Sequence, residues 1–458
     1  MNQLLDILVV GGGVAGTLIS EQLVKSLPSK SISLLNRERV VGGRVLTYQG
    51  EFGHQLELGA MRIPETNNRT ISLCTRLGLS LDKFEGGTSS CNNFIIHNAN
   101  SIESDITYPL LISNSIKSFC GFNIEDEVPA DWLFLKMSMK LNSLGASFDD
   151  LSFKRWVKLV MKPEDRSLFW SLVGYDYLRQ ADVSAITCLK QAAIHDECNT
   201  QFFNIAGGMQ RLVLSLLSNF LRYGGNYYCN QTVTRVIPHE SHFTVITERE
   251  SVFYCKQLVL AIPPREISSI HQNHPFLNKQ HLLSIEAIGG YGSTKTYALL
   301  PHLDGISENQ KSAGFFRTNL SIRQGHWNPC NNSSLHSTHQ MILAEYKNEI
   351  RRSSSGFPIP VQQEWQRISS DLSKICKSTI ATPIELVAFN WNLEQSGVAA
   401  HYWNKNCNYK SILREHFKVN NRLYLIGEAF SNYQGWIEGA IESADQALYR
   451  ICANHLNS

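Results

Sequence analysis

The chain opens with an apolar run from Leu4 to Val10, broken only by Asp6. A strand with one wet face would alternate, so this run predicts a strand buried on both faces of a parallel sheet. Glycines follow between Gly11 and Gly16. Then Ile19, Leu23 and Leu27 recur every fourth residue, one face of a helix that Pro28 ends. Ile32 to Leu35 is the next apolar run, which completes a βαβ unit. From about residue 130 to 220 the pattern is mostly helical, carried by Trp132, Leu133, Leu135, Met137, Trp156, Leu159 and Val160. Short strands of a meander follow at Val233 to Val236, His242 to Thr247, Val252 to Cys255 and Leu258 to Ile262, closed by Pro263 and Pro264. The stretch from about 305 to 340 reads as a loop-like surface insertion, with Pro329, Asn331, Asn332, Ser333 and Ser334. Leu423 to Ile426 is a last strand, and a glycine-containing turn leads to a helix from Trp436 to about Ala453.

Composition narrows the class. At 458 residues the chain has material for two or three domains, and a 43% hydrophobic content is that of a globular protein. A net charge of +2 gives no case for nucleic acid or an anionic membrane as partner, and no apolar run is long enough to span a bilayer. Met1 to Asp6 lead straight into the first strand without a basic leader, so a cytoplasmic location is expected. The eleven cysteines are odd in number and form no CxxC pair, which fits reduced thiols. The pairs His239/His242, His271/His274 and His336/His339 have metal-like spacing but no third ligand, so no metal is expected. A homodimer is compatible with the sequence, which does not set the oligomeric state.

The chemistry starts at Gly11-x-Gly13-Val14-Ala15-Gly16. Between a strand and a helix, the first glycine permits the tight turn and the second lets a pyrophosphate approach the backbone. The third lets helix and strand pack closely, with the helix N-terminus facing the phosphates. A carboxylate for the ribose hydroxyls is expected about 20 residues on. Asn36 stands there instead, followed by Arg37, Glu38 and Arg39. An amide binds a hydroxyl more weakly than a carboxylate does. Glu38 could take over that role, and the two arginines leave a 2′-phosphate, hence NADP, as a second reading.

Further motifs occur in a fixed order: Gly42-Gly43-Arg44, Glu57-Leu58-Gly59-Ala60-Met61-Arg62, Gly207-Gly208-Met209, Leu258 to Pro264, Gly427-Glu428 and Gly435-Trp436-Ile437-Glu438-Gly439. With them the chain resembles the flavin amine oxidases over essentially its whole length, and in particular their L-amino-acid oxidase branch. The resemblance implies an α/β fold. A Rossmann-like FAD-binding domain would comprise 1–70, 206–290 and 415–458, an α+β substrate domain 71–110 and 291–414, and a helical insertion 111–205. It implies FAD as cofactor, with Gly11, Gly13, Val14, Ala15, Gly16, Asn36, Arg37, Gly43, Arg44, Val233, Ala261, Gly427 and Glu428 toward its adenine, ribose, phosphate and ribityl parts. Gly59, Ala60, Met61, Arg62, Gly435, Trp436 and Ile437 would pass the flavin ring. The branch that attaches FAD covalently uses a Cys in a Ser-Gly-Gly-Cys context. Here the stretch is Ser396-Gly397-Val398-Ala399, so noncovalent FAD is expected.

The resemblance also implies catalytic roles. Arg62 would bind a substrate carboxylate through its planar fork, a group that simple amines lack; the bland alternative is a salt bridge to Glu57 or Glu65. Lys295, in a probable strand, would hold a water near the flavin and assist the reaction with oxygen. Tyr175, Tyr433 and Trp436 are candidate cavity walls, Tyr346 a candidate aromatic over the substrate, and His195 a candidate contact. The expected reaction is oxidative deamination of an L-amino acid by O2. Left open beside it are a monoamine or polyamine oxidase, with Arg62 structural, and a biosynthetic flavin desaturase or isomerase.

Overall fold

The computed structural model describes residues 4–84, 93–97, 100–104, 108–147, 150–194, 200–301, 314–327, 339–349, 361–391, 398–418 and 422–456. His195, His336, Ser396, Gly397 and the cluster Pro329 to Ser334 lie outside them.

The βαβ unit forms as its pattern requires: strand Leu4–Val10, helix Val14–Ser26, strand Ile32–Leu35. Leu4–Val10 pairs in parallel with Ile32–Leu35 on one side and with Val252–Leu260 on the other. Asn226–Tyr228 extends the sheet beyond Ile32–Leu35. The C-terminal half of Val252–Leu260 also pairs in parallel with Leu423–Leu425. Its N-terminal half pairs antiparallel with Phe243–Thr247, which pairs with Val233–Pro238. The pattern suggested two strands between Val252 and Ile262, interrupted by Lys256 and Gln257. One strand runs through instead, because Lys256 reaches Asp6 Oδ1 at 2.9 Å, the polar residue of the first strand.

Three helices share one face of this sheet. Val14–Ser26 packs against Arg211–Arg222 and against the C-terminal helix Ile437–Leu456. Ile19, Leu23, Leu216, Phe220, Ile441 and Ile451 are fully or almost fully buried between them. Ala440, Ala444 and Ala447 give the C-terminal helix a thin side that admits close approach. Thus both ends of the chain enter one core.

A second sheet runs in the order Glu385–Trp391, Ile288–Leu300, Gln340–Glu349, Gln324–His326, Phe315–Thr318, Asn93–His97, Asn100–Ser104. Ala400–Trp403 pairs with the start of Ile288–Leu300. Two of these strands, Phe315–Thr318 and Gln324–His326, lie inside the stretch read as loop-like. They are too short to show a period, and what places them is burial of Phe316 and Trp327 under helix Val361–Cys376. The helical region comprises Tyr108–Cys120, Ala130–Ser143, Phe153–Val160, Pro163–Val173, Tyr177–Gln180 and Ala185–Ile194. It closes on its own core, where the Trp156 indole N–H points at Met137 Sδ, 3.4 Å away. Phe202–Ile205, inside the stretch read as helical, is a strand paired with Ile63–Pro64 and Leu81–Lys83.

The expected boundaries at 70 and 415 both cut through helices. Leu73 and Cys74 of helix Asn68–Arg76 belong to the core of the first sheet. Trp403 and Leu413 pack with Leu423 and Phe430 under the same sheet, so helix Tyr409–His416 belongs there too. Among the described residues no helix is long and apolar enough to cross a membrane.

Two glycines fix how closely the first strand and helix approach. Gly11 has φ +110°, and a Cβ there would lie 2.4 Å from Ala261 O. A Cβ on Gly16 would lie 1.8 Å from Gly11 O. G16A is therefore expected to lower unfolding free energy by about 2–3 kcal/mol, the upper part of the usual range for overpacking. A urea unfolding curve checks this; an unchanged midpoint would contradict the packing described.

Candidate active site

The first strand, the middle strand and the last strand run in parallel, so the turns after Val10, Leu260 and Leu425 open at the same edge. Gly42 bridges back to Gly13, and its N–H donates to Gly12 O at 2.8 Å. Gln210 locks this layer by donating to Val41 O and accepting from Thr47 N. Helix Val14–Ser26 starts at Gly13 with no side-chain cap and no acidic residue in its first turn. A Cβ on Gly13 would meet only Gly42 O, 4.0 Å away, so the space before these N–H groups is open. An uncapped helix end and an open glycine face suit the phosphates of a dinucleotide.

Asn36 is committed inward. Its Oδ1 accepts from Gly12 N at 3.1 Å, and its Nδ2 donates to Glu38 O and Val40 O. The amide staples the glycine turn to the following loop. Glu38 is exposed and pairs with Arg37 at 3.0 Å. Val233 starts its strand at a break in register, and Ala261 N donates to Val10 O at 2.8 Å. Gly427 N donates to Ser443 Oγ at 2.9 Å, which ties the last strand to the C-terminal helix.

Glu428 is not the surface carboxylate that its place near a helix allows. It is buried, accepts from Arg44 Nη1 at 2.8 Å and from His401 N at 3.1 Å, and lies 2.8 Å from His401 Nδ1. Burial alone would raise its pKa. Arg44 and His401 outweigh burial and hold it down at about 2, so the carboxylate stays ionised.

Below this edge lies a cavity with about 200 Å³ of water-accessible space, between the two sheets and the helical region. Arg62, Lys295, Tyr175, Trp436 and Tyr346 all line it, as do Gly59, Ala60, Met61, Gly435 and Ile437. Tyr433 is not on its wall. The Arg62 guanidinium carbon lies 4.3 Å from the Phe202 ring centre and 5.1 Å from that of Phe315, a cation held between aromatic faces. The two carboxylates named as alternative partners each accept other hydrogen bonds. Glu57 accepts from Thr47 Oγ1 and Met209 N, and Glu65 accepts from Gln201 N. At Gly59 the bar to a side chain is the protein itself, since a Cβ would lie 2.0 Å from Arg44 O.

Lys295 is buried, not solvated. Its Nζ donates to Glu57 O at 2.9 Å and Gly59 O at 2.5 Å, with Met61 Sδ at 3.3 Å. Burial pushes its pKa down to about 7, against the opposing pull of Glu57. Tyr175 sits after Gly174, the left-handed cap of helix Pro163–Val173. Two clamps fix it there: Gln324 Nε2 donates to Gly174 O at 3.1 Å, and Arg323 pairs with Asp176 at 2.9 Å.

Residues that the sequence did not flag complete the walls. The rings of Tyr177 and Tyr291 stack with centres 3.8 Å apart, and burial pushes both phenols well above their usual pKa. His401, Asn348, Phe153 and Cys188 also face the cavity. His401 follows the stretch compared with the covalent-flavin motif, but no local spacing marks it. The expected His195 contact lies outside the described residues. Of the histidine pairs with metal-like spacing, His271 Nδ1 accepts from Phe276 N and Leu277 N, a structural use.

A family model described as flavin containing amine oxidoreductase matches residues 27–452. The flavin-dependent L-tryptophan oxidase RebO of Lentzea aerocolonigenes is 23% identical, with 97% of each chain covered. An L-amino-acid oxidase of Mus musculus is 38% identical over 79 residues, 17% of this chain and 12% of that one. The flavin-containing amine oxidase A of Bos taurus is 24% identical over 59% of this chain and 51% of its own. The chain thus matches only part of the length of the mouse and bovine proteins. A solved putrescine oxidase variant superposes with TM-score 0.72 at 15% identity, covering 98% of this chain and 99% of that one, which shows a shared fold.

Lys295 titrates at 10.5 when unfolded and near 7 when folded. Between those values the unfolded chain binds more protons, so this residue makes stability rise with pH from about 7 to 10.5. K295M is expected to lose that rise. Urea midpoints of both proteins at pH 7 and 9 check it: equal increments would contradict the buried setting of Lys295.

Proposed function

We propose, from the premise that the chain belongs to the flavin containing amine oxidoreductase family, that it is an FAD-dependent L-amino-acid oxidase. The observation that carries this reading is Arg62, a guanidinium on the wall of the same cavity as Lys295 and Trp436, oriented by Phe202 and Phe315. A fixed planar fork suits a carboxylate, which an amino acid has and an amine lacks. Tyr175, Tyr177, Tyr291, Phe153 and Trp436 give the cavity aromatic walls, which favour a large aromatic side chain such as that of tryptophan.

The glycine turn at Gly11–Gly16, the N-terminus of helix Val14–Ser26 and Arg44 would hold the FAD phosphates. Gly59 to Arg62 and Gly435 to Ile437 would flank its ring. Bound there, the flavin would accept a hydride and later pass two electrons to oxygen as hydrogen peroxide. The protein's own part is to bind the carboxylate at Arg62 and aim the α-carbon. It also keeps water out with the Tyr177–Tyr291 stack and holds a buried amine, Lys295, at the floor of the cavity. The imino acid so formed hydrolyses to a 2-oxo acid and ammonia. Noncovalent attachment is favoured by the state of two described thiols, Cys407 and Cys188. Cys407 Sγ donates to Asn404 O, and burial pushes its pKa to about 11. Burial likewise keeps Cys188 protonated, and a thiol is a poor nucleophile.

R62A is expected to raise KM for the best L-amino acid about 100-fold, the loss of a charge-assisted pair, while flavin content stays unchanged. Turnover of the corresponding amine without a carboxylate should be poor in both proteins. Steady-state kinetics with flavin absorbance check this; unchanged KM in R62A would remove the carboxylate role.

A further inference from the structure

Two amides on the cavity wall, Asn67 and Asn348, each bury an Oδ1 that no group among the described residues hydrogen-bonds. Asn67 lies on the segment that continues from Arg62. Asn348 comes from the second sheet, on strand Gln340–Glu349, and is only 2% exposed. A buried acceptor without a donor is unfavourable, and such groups are rare in folded proteins unless something else supplies the donor. A half-turn about the last side-chain bond exchanges the oxygen and nitrogen of an Asn amide. Either end can therefore serve the cavity without movement of the strand.

Strand register fixes where Asn348 stands. It lies opposite Ser293, and Tyr346 lies opposite Lys295, so these four residues share one face of the sheet. Asn348 is next to Tyr346 on that face, one row beyond Lys295. Arg62 belongs to the other end. One of its two ring partners, Phe315, pairs with His326, and His326 pairs with Leu343. From Leu343 to Asn348 the strand advances about 15 Å, with Tyr346 between them. A carboxylate at Arg62 thus occupies one end of this face, and the Asn348 amide stands toward the other end, where an amino acid extends its side chain.

We propose that Asn348 reads the substrate's side chain, accepting a hydrogen bond from an N–H or O–H group carried by an aromatic ring. Indole and phenol side chains are then preferred over a plain phenyl ring. The assignment rests on the amino-acid oxidase reading above and narrows its aromatic preference. The ring walls cannot make this distinction. Tyr175 and Tyr346 meet edge to face with centres 6.4 Å apart, and they pack any aromatic side chain. The amide can make it, because a substrate without a donor leaves the buried oxygen unpaired while excluding water from it.

The test uses the holoenzyme and two pairs of substrates that differ in the donor. One pair is L-tryptophan and β-(3-benzothienyl)-L-alanine, in which sulfur replaces the indole N–H. The other is L-tyrosine and L-phenylalanine. Anaerobic flavin reduction in stopped flow gives the reduction rate constant and apparent Kd of each. In the wild type the member with the donor should be favoured about 30-fold in rate constant over Kd in at least one pair, the scale of one hydrogen bond whose loss strands a buried partner. In N348L that preference should fall to about threefold or less, and the member without the donor should bind more tightly than it does to the wild type. N348A, a smaller change, should lose the same preference. A wild-type ratio near 1 in both pairs overturns the proposal, as does an unchanged ratio in N348L and N348A; either result leaves the oxidase in place. Failure of every L-amino acid to reduce the wild type removes the oxidase reading itself, and the role of Asn348 with it.

Discussion

The buried carboxylate of Glu428 joins three parts of the chain that are far apart in sequence. It sits after the last strand, takes Arg44 from the loop that follows the βαβ unit, and takes both the backbone and the ring of His401. Isolated in the interior, such a charge would be strongly unfavourable. Here two cation-capable partners and a backbone N–H satisfy it. The geometry of the glycine-turn edge and of the adjoining cavity wall therefore depends on one residue. Loss of either partner would leave the buried charge less well compensated.

The cavity itself follows from the topology. Parallel pairing of the first, middle and last strands brings three turns to one edge. The second sheet supplies Lys295 and Tyr291 from a single long strand, and the helical region supplies Phe153, Tyr175 and Tyr177. The charges on the walls are sharply different in kind. The Arg62 guanidinium lies between aromatic rings, whereas burial brings Lys295 within reach of its neutral form near pH 7. Such divergence between neighbouring groups is typical of sites that handle protons and charge.

Much of the fold was legible because long periodic segments dominate it. The apolar run at Leu4–Val10, the glycine spacing that follows and the apolar face of the next helix depend only on local chemistry, and all three appear as read. The short strands Phe315–Thr318 and Gln324–His326 carried no period and are fixed by burial under a distant helix. The expected boundaries at 70 and 415 cut helices 68–76 and 409–416, which pack on the first core, a tertiary choice with no local signal. The candidate residues Arg62, Lys295, Tyr175 and Trp436, read from the resemblance, all line one cavity. His401 was missed because its meaning lies in contact with Glu428, 27 residues away. Asn36 was legible as a departure, but that its amide staples the glycine turn could be seen only in three dimensions.

The most direct test of the account is anaerobic mixing of the purified yellow protein with single L-amino acids and with the matching amines, following the flavin absorption band. The account predicts bleaching by an aromatic L-amino acid, little by its amine, and return of colour with peroxide when air is admitted. Bleaching by the amine and not by the amino acid would contradict it, because Arg62 would then have no carboxylate to bind.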